Sequence, residues 1–151
     1  MPENVAGRPM EILLVEDSLT VGTRTMGALR SGSFPHRCTW LTDGEQALTF
    51  LNQTGIYAQA PRPDLVLLDL GLPKVDGMQV LTELKASEKL RTIPVVIMTS
   101  NTDPQERERA EELSVASYLE KPIDFNSFVD LVLRLKRFWK PEVLLPKDRN
   151  N

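Results

Sequence analysis

Long apolar runs, cysteine pairs and an excess of basic residues are all missing from this 151-residue chain. No apolar run approaches the roughly 20 residues that cross a bilayer, and the first ten residues lack the apolar core of a signal peptide. Cys38 is the single cysteine, so an internal disulfide cannot form. These absences favour a cytoplasmic protein that does not enter a membrane.

A large excess of one sign of charge is absent as well. The chain has 18 Lys and Arg against 21 Asp and Glu, a formal net charge of −3, so it lacks the concentrated basic face that binding to nucleic-acid phosphates needs. His36 is the only histidine, and we interpret it as a turn residue rather than a ligand or a phosphodonor. With 41% hydrophobic residues, the chain can bury one sizeable core without a disulfide or a metal.

Short apolar runs alternate with longer segments of helical periodicity, a pattern that predicts βαβ units and a parallel sheet. The predicted strands are residues 11–16, 37–41, 64–69, 93–99 and 117–119. The predicted helices are residues 19–30, 45–52, 78–87, 104–113 and 125–138. The third and fourth strands are apolar at consecutive positions, which predicts that helices cover both of their faces and that they are central in the sheet.

Chemically active side chains lie at or near the ends of four predicted strands. Glu16 and Asp17 follow the first strand, Asp69 ends the third, Thr99 ends the fourth and Lys121 follows the fifth. The carboxyl ends of parallel strands meet at one edge of a sheet, where open α/β folds bind their ligands. Three carboxylates, a hydroxyl and an ammonium at this edge predict a cation site beside a nucleophile.

Each of these residues also has a plainer interpretation. Asp17 or Asp69 alone is more often a helix N-cap or a solvated charge. Ser100 could supply the hydroxyl in place of Thr99, and either one could cap the next helix. Tyr118 is more often a half-buried strand aromatic with its hydroxyl in water. The prediction therefore depends on the combination of residues and not on any one of them.

In order and in strand context, these segments resemble the receiver domains of two-component response regulators. The likeness covers residues 10–138 and leaves an N-terminal extension, residues 1–9, and a partly apolar C-terminal tail, residues 139–151. The matching segments are Val15-Glu16-Asp17, Leu67-Leu-Asp-Leu-Gly-Leu-Pro73, Asp76-Gly77, Met98-Thr99-Ser100 and Tyr118-Leu-Glu-Lys-Pro122. The resemblance implies an α/β fold, a doubly wound five-stranded parallel sheet of flavodoxin-like order, and a cis peptide before Pro122.

The resemblance also implies a chemical role for each residue of the site. In this family a histidine kinase transfers a phosphoryl group to the strand-end aspartate, here Asp69, and Lys121 and Thr99 contact that group. The protein itself would not be an enzyme beyond phosphorylation and dephosphorylation of Asp69. The cofactor would be Mg²⁺, with Mn²⁺ as a substitute. Its implied ligands are Glu16, Asp17, Asp69 and the backbone carbonyl of Gly71.

Two further properties follow from the same resemblance. Thr99 and Tyr118 would form the family's switch, in which the ring of Tyr118 fills the space that Thr99 leaves, and the readout is expected on the last strand and the fourth and fifth helices. Gly71 and Asn101 stand at positions that tune the lifetime of the acyl phosphate. The sequence predicts that substitution of Asn101 changes this lifetime.

The last helix and the tail carry more apolar residues than burial against the sheet requires. The residues expected to form an interface are Leu131, Phe138, Trp139, Val143, Leu144 and Leu145. An exposed apolar patch usually marks an interface, so we expect a homodimer through the last helix. The alternative is that the tail folds back and covers its own helix.

The tail and the loop at residues 55–63 look like features of the single-domain regulators paired with bacterial and cyanobacterial phytochromes. The expected kinase is therefore a histidine kinase, with a phytochrome as the candidate. Because the chain shows no output domain, its output is expected to be contact with another protein.

Two functions of other kinds compete with this interpretation, and the sequence argues against a third. A haloacid-dehalogenase-type phosphohydrolase also uses a strand-end aspartate and Mg²⁺, but it needs a second acid two residues later, where Gly71 stands. A pseudo-receiver that acts only as a scaffold would not need the complete set of site residues. A dinucleotide-binding protein would need a glycine-rich loop after the first strand, and residues 16–20 have none.

Overall fold

The computed structural model describes residues 7–32, 34–99 and 104–146. The strands are β1 (Met10–Val15), β2 (His36–Leu41), β3 (Leu65–Asp69), β4 (Val95–Thr99) and β5 (Ser117–Glu120). The helices are α1 (Leu19–Arg30), α2 (Gly44–Leu51), α3 (Gly77–Ala86), α4 (Pro104–Glu112) and α5 (Phe125–Arg134), with two 3₁₀ turns at Gly55–Tyr57 and Lys136–Phe138. None of the helices within these ranges is long and apolar enough to cross a membrane.

All five strands run parallel in one sheet, in the order β2-β1-β3-β4-β5. The predicted fold class is confirmed, with β3 at the centre, β4 inside the sheet, and β2 and β5 at its edges. Helices cover both faces, because neighbouring residues of one strand join different cores: Val66 and Leu68 pack with α2 and α3, whereas Leu65 and Leu67 pack with α1 and α5. Burial on both faces explains the continuous apolar runs in the sequence.

Four helices begin at a side chain that accepts a hydrogen bond from the backbone N–H three residues later. These N-cap residues are Ser18, Asp43, Asp76 and Asp124. The cap is most important for α1, whose glycines and threonines are poor helix formers; Ser18 accepts from the backbone N–H of Val21 at 3.1 Å.

Two local predictions need correction. His36 does not lie in a turn: it is the first residue of β2, pairs with Met10, and places its Nδ1 2.9 Å from the carbonyl oxygen of Phe34. The last helix is shorter than predicted, because regular α-helix ends at Arg134 and a 3₁₀ turn follows.

Part of the tail folds back and covers its own helix, as the alternative interpretation expected. Three of the six residues assigned to an interface are instead buried: Leu131, Trp139 and Val143, which are 0%, 9% and 5% exposed. The indole of Trp139 donates to the backbone carbonyl of Val132 at 2.8 Å, which fixes the return of the chain. Leu144 and Leu145 are half-buried. Phe138, at 41% exposure, is the one clearly exposed member of the set.

The two ends of the described chain meet beside the amino end of the sheet. Arg8 forms a parallel β-bridge with Val143, and its guanidinium binds both carboxylate oxygens of Asp64, at 2.8 and 2.9 Å. The same carboxylate accepts the backbone N–H of Glu11 at 2.8 Å. Asp64 therefore joins the first strand, the N-terminal segment and the start of β3.

Replacement of Asp64 by Ala is expected to lower the free energy of unfolding by about 2–3 kcal/mol, since it removes a two-point charged contact and leaves the backbone N–H of Glu11 without its partner. Urea denaturation measures the change. The control is Glu142→Ala, which loses an ion pair to Arg8 at 3.7 Å from a half-exposed side chain and should cost about 0.5 kcal/mol or less. Equal losses in the two variants would contradict this role for Asp64.

Candidate functional site

The parallel register brings the strand-end residues to one edge of the sheet. Val15 pairs with Leu68, so the acidic pair that follows β1 lies beside Asp69 at the end of β3. The fourth and fifth strands are joined at the same edge, where the backbone N–H of Lys121 donates to the carbonyl of Thr99 at 2.8 Å. The structure therefore places at one edge all five residues that were predicted to converge there, which are Glu16, Asp17, Asp69, Thr99 and Lys121.

Three carboxylates at this edge lie close enough together to hold a cation. One oxygen from each of Glu16, Asp17 and Asp69 lies within 4.8 Å of the others. Asp17 is exposed and Asp69 is half-buried, whereas Glu16 is only 1% exposed. An all-oxygen donor set suits a hard divalent cation such as Mg²⁺ or Mn²⁺.

Lys121 supplies the positive charge beside these carboxylates. Its ammonium lies 2.8 Å from Oε1 of Glu16 and 3.3 Å from Oδ1 of Asp69. The other oxygen of Glu16 accepts the backbone N–H of Ser18 at 3.0 Å. Although Oε1 of Glu16 is close to the ammonium, the angles give it no well-directed hydrogen bond. A buried carboxylate oxygen with spare acceptor capacity is what a cation ligand requires, so the donor set fits a divalent ion.

Burial and charge act in opposite directions on this ion pair. Burial raises the pKa of Glu16 above its ordinary value of 4.5, and the nearby ammonium of Lys121 and the hydrogen bond from Ser18 offset this only in part. Burial alone would lower the pKa of Lys121, but its close contact with Glu16 and the charges of Asp69 and Glu16 outweigh it, so the pKa is raised above 10.5. Lys121 is therefore a permanent cation at neutral pH.

The loop between β3 and α3 holds Asp69 in place. The two ends of this loop come closest at Gly77, where a Cβ atom would overlap the backbone of Asp69 and Leu70. The backbone N–H of Gly77 also donates to the carbonyl of Leu70 at 2.9 Å. Gly71 donates its N–H to Oδ1 of Asp69 at 3.3 Å. Around Gly71 nothing lies within 4 Å of where a Cβ would stand, so the space above Asp69 is open on that side.

Tyr118 connects the last strand to α4. Its hydroxyl donates to the backbone carbonyl of Arg107 at 2.9 Å, and the guanidinium of Arg107 lies 4.4 Å from the centre of its ring. Burial raises the pKa of Tyr118, with a smaller contribution from the charge of Glu111. Lys121, three residues further on, is joined to Pro122 by a cis peptide bond.

Two predicted residues cannot be compared with the structure, and two contacts in the structure were not predicted. Ser100 and Asn101 lie outside the described residues. The direct contact of Lys121 with Glu16 was missed, since the sequence suggested only that Lys121 would bind a phosphoryl oxygen. Trp40 donates its indole N–H to the carbonyl of Glu16 at 2.8 Å, a contact that was also not predicted. No local pattern in the sequence could have indicated either contact, because the partners are far apart along the chain.

Replacement of Lys121 by Gln is expected to lower the free energy of unfolding by about 3 kcal/mol, because Glu16 is left buried without its counter-charge. The loss should be smaller in mildly acidic than in neutral buffer. A raised carboxyl pKa means that protonated Glu16 is favoured in the folded state, so the associated stability is present at low pH and is lost as the pH rises through the folded-state pKa. Urea denaturation at the two pH values measures both effects.

Lys74→Gln is the matched control, because Lys74 also pairs with two carboxylates but is exposed. Its ammonium lies 3.9 Å from Asp43 and 3.8 Å from Glu45, and its side chain is 63% exposed. Its loss should cost about 0.5 kcal/mol or less. Addition of Glu16→Gln to Lys121→Gln should restore part of the lost stability. If Lys121→Gln were as stable as the parent at neutral pH, the buried ion pair would not have the importance assigned to it.

The comparisons with known proteins agree with this geometry. Residues 12–133 match the response regulator receiver domain. Response regulator Rcp1 of Synechocystis sp. is 39% identical over 138 residues, which are 91% of this chain and 94% of Rcp1. The crystal structure of the Mn²⁺-bound form of Rcp1 has a TM-score of 0.74 and covers 92% of this chain and 100% of that one.

Two solved phytochrome response regulators are similar over nearly the same length. The bacteriophytochrome response regulator AtBRR is 41% identical with a TM-score of 0.79, covering 93% of this chain and 99% of its own. The phosphorylated cyanobacterial phytochrome response regulator RcpA is 35% identical with a TM-score of 0.75, covering 92% and 99%. From its sequence, its sheet order and its strand-end residues, this chain belongs to the response regulator receiver family.

Proposed function

We propose that this protein is a single-domain response regulator that accepts a phosphoryl group from a histidine kinase on Asp69 and signals by contact with another protein. The observation that carries the proposal is the grouping of three carboxylates within 4.8 Å, with the Lys121 ammonium 3.3 Å from Asp69. Receiver domains of this family are signalling proteins. The match with Rcp1 over 94% of that protein's length supports the single-domain organisation.

In the proposed reaction, an oxygen of Asp69 attacks the phosphorus of a phosphorylated histidine. A phosphorus–oxygen bond forms while the phosphorus–nitrogen bond breaks, and the imidazole leaves with the electron pair of that bond. When bound, the divalent cation neutralises charge on the incoming phosphoryl oxygens. Glu16, Asp17, Asp69 and the backbone carbonyl of Gly71 would hold that cation. We assign Mg²⁺ to the site, with Mn²⁺ as a substitute.

Lys121 and Thr99 would receive the transferred group. The ammonium of Lys121 already lies beside Asp69, so it needs only a small movement away from Glu16 to bind a phosphoryl oxygen as a compact charge. Thr99 ends the strand next to Asp69 and would donate its hydroxyl to another oxygen. The new charge at Asp69 is nearly two units at neutral pH.

The conformational response would pass through Thr99 and Tyr118. Tyr118 contacts α4 through the carbonyl and the guanidinium of Arg107. Any movement of its ring must therefore either break these contacts or move α4 with it. This coupling supports a readout on α4, β5 and α5, where a local charge event biases a two-state element.

The proposed kinase is a histidine kinase of the phytochrome class, and the proposed location is the cytoplasm. Support for the kinase class comes from the likeness to AtBRR and RcpA, which are phytochrome response regulators. The homodimer through α5 stays a prediction. Its surface must be smaller than expected from the sequence, because Leu131, Trp139 and Val143 are buried within the chain.

The competing functions have less support. A scaffold without phosphorylation would not need Lys121 and three carboxylates grouped at the strand ends. A phosphohydrolase of the haloacid-dehalogenase type would need an acidic side chain two residues after Asp69, and Gly71 provides none.

Intact mass spectrometry after incubation with acetyl phosphate and Mg²⁺ tests the proposal. The parent should gain the mass of one phosphoryl group, and Asp69→Asn should gain none, because an amide is not a nucleophile for this transfer. Chelation of the divalent ion should abolish the adduct in the parent.

The control variant is Asp76→Asn, which changes an exposed carboxylate in the same loop that accepts the backbone N–H of Gln79 at 2.9 Å. It should still form the adduct. Absence of an adduct from the parent with every divalent ion, or an equal adduct on Asp69→Asn, would refute phosphorylation of Asp69 and make the scaffold function the leading one.

A further inference from the structure

A tryptophan on the edge strand reaches the backbone of the acidic pair. Trp40 lies on β2 opposite Leu14 of β1, and its indole N–H donates to the backbone carbonyl of Glu16 at 2.8 Å. An indole offers a single donor, and here that donor is used on the residue that begins the cation site. Packing alone would not require this contact.

The polar groups of Glu16 contact several different elements of the fold. Its backbone N–H donates to Leu41 at 3.0 Å, and Oε2 accepts from the backbone of Ser18 at 3.0 Å. Oε1 lies in the ion pair with Lys121, and the carbonyl accepts from Trp40. The bond from Trp40 is the one that determines the rotation of the next peptide plane, because that carbonyl belongs to the planar unit joining Glu16 to Asp17.

Asp17 depends on that peptide plane for its position. Its carboxylate is exposed, and within residues 7–32, 34–99 and 104–146 no other side chain is hydrogen-bonded to it or paired with it. Rotation of the plane between Glu16 and Asp17 would therefore move the Asp17 carboxylate relative to Asp69. The separation of 4.8 Å or less among the three ligand oxygens would then be lost.

The position of the Trp40 ring is itself fixed by a glycine in α1. A Cβ atom at Gly22 would overlap the ring of Trp40, so the indole lies directly against the helix backbone. The ring is half-buried and, like Met26 and Cys38, packs against the core on the α1 face of the sheet. Gly22 and Trp40 form a complementary pair, in which the missing side chain of one makes room for the other.

We infer that Trp40 is a positioning residue that holds the Glu16–Asp17 peptide in the orientation that binds a divalent cation. The inference rests on the proposed function, since it concerns the same carboxylates. Trp40 touches neither the cation nor the phosphoryl group and acts only through the backbone of Glu16. Loss of one hydrogen bond that orients a ligand predicts that the cation dissociates about three- to tenfold more readily.

Isothermal titration of the unphosphorylated protein with Mg²⁺ tests the inference. Trp40→Phe keeps an aromatic ring against Gly22 and removes only the donor, so its Mg²⁺ affinity should fall about three- to tenfold. The matched control is Trp139→Phe. Trp139 also donates its indole N–H to a backbone carbonyl at 2.8 Å, that of Val132 in α5, away from the cation site, so its loss should leave Mg²⁺ affinity unchanged.

Fluorescence gives a second readout, which reports on the environment of the indole beside the cation site. In Trp139→Phe the only indole is Trp40, and Mg²⁺ should change its emission along the same binding curve that calorimetry gives. In Trp40→Phe the remaining indole is Trp139, and its emission should not respond to Mg²⁺.

Gly22→Ala tests the same idea without a change at Trp40, because the added methyl group displaces the ring and with it the indole N–H. It should lower Mg²⁺ affinity by a similar factor, and it decides the question if Trp40→Phe does not fold. Parental affinity in a folded Trp40→Phe would overturn the inference and leave the proposed function standing. No binding of Mg²⁺ by the parent would overturn both.

Discussion

The half-buried ammonium of Lys121 joins the ends of β1 and β3, whose carboxylates would otherwise repel each other. It lies 2.8 Å from Glu16 after β1 and 3.3 Å from Asp69 at the end of β3, while its own backbone N–H holds the end of β4 through Thr99. Without a cation, carboxylates this close to one another raise each other's pKa or force the strands apart. Lys121 provides that cation in the resting protein, and its charge is fixed there because its pKa is raised.

This arrangement depends on the sheet order. In the order β2-β1-β3-β4-β5 the ends of β1 and β3 lie side by side, with β4 and β5 following on the same edge. The loops then add the finer positioning. Gly77 lets the backbone after Asp69 lie against the start of α3, and Gly22 lets the indole of Trp40 reach the carbonyl of Glu16. The site is therefore built from backbone contacts as much as from its charged side chains.

The sequence predicted the fold and the candidate site to a large extent, for physical reasons that can be named. Consecutive apolar residues in β3 and β4 indicate burial on two faces, and strand-end carboxylates indicate the ligand edge, because both signals are local. The bounds of α1 were predicted correctly although its residues are poor helix formers, and the structure adds a cap at Ser18 that stabilises its first turn. Contacts between distant segments could not be predicted. The burial of Leu131, the bond from Trp40 to Glu16 and the stacking of Arg107 on Tyr118 each depend on how separate elements pack in space.

The central claim is that the Lys121 ammonium, held by Glu16 and Asp69 at rest, is the group that receives the phosphoryl charge. A crystal structure of the protein grown with Mg²⁺ and beryllium fluoride, which mimics a phosphoryl group on aspartate, would test it most directly. The account predicts the fluoride group on Asp69, the cation among Glu16, Asp17 and Asp69, and the ammonium of Lys121 within hydrogen-bond distance of a fluorine. A structure in which Asp69 stays unmodified, or in which Lys121 keeps its two carboxylates and ignores the fluoride group, would contradict it.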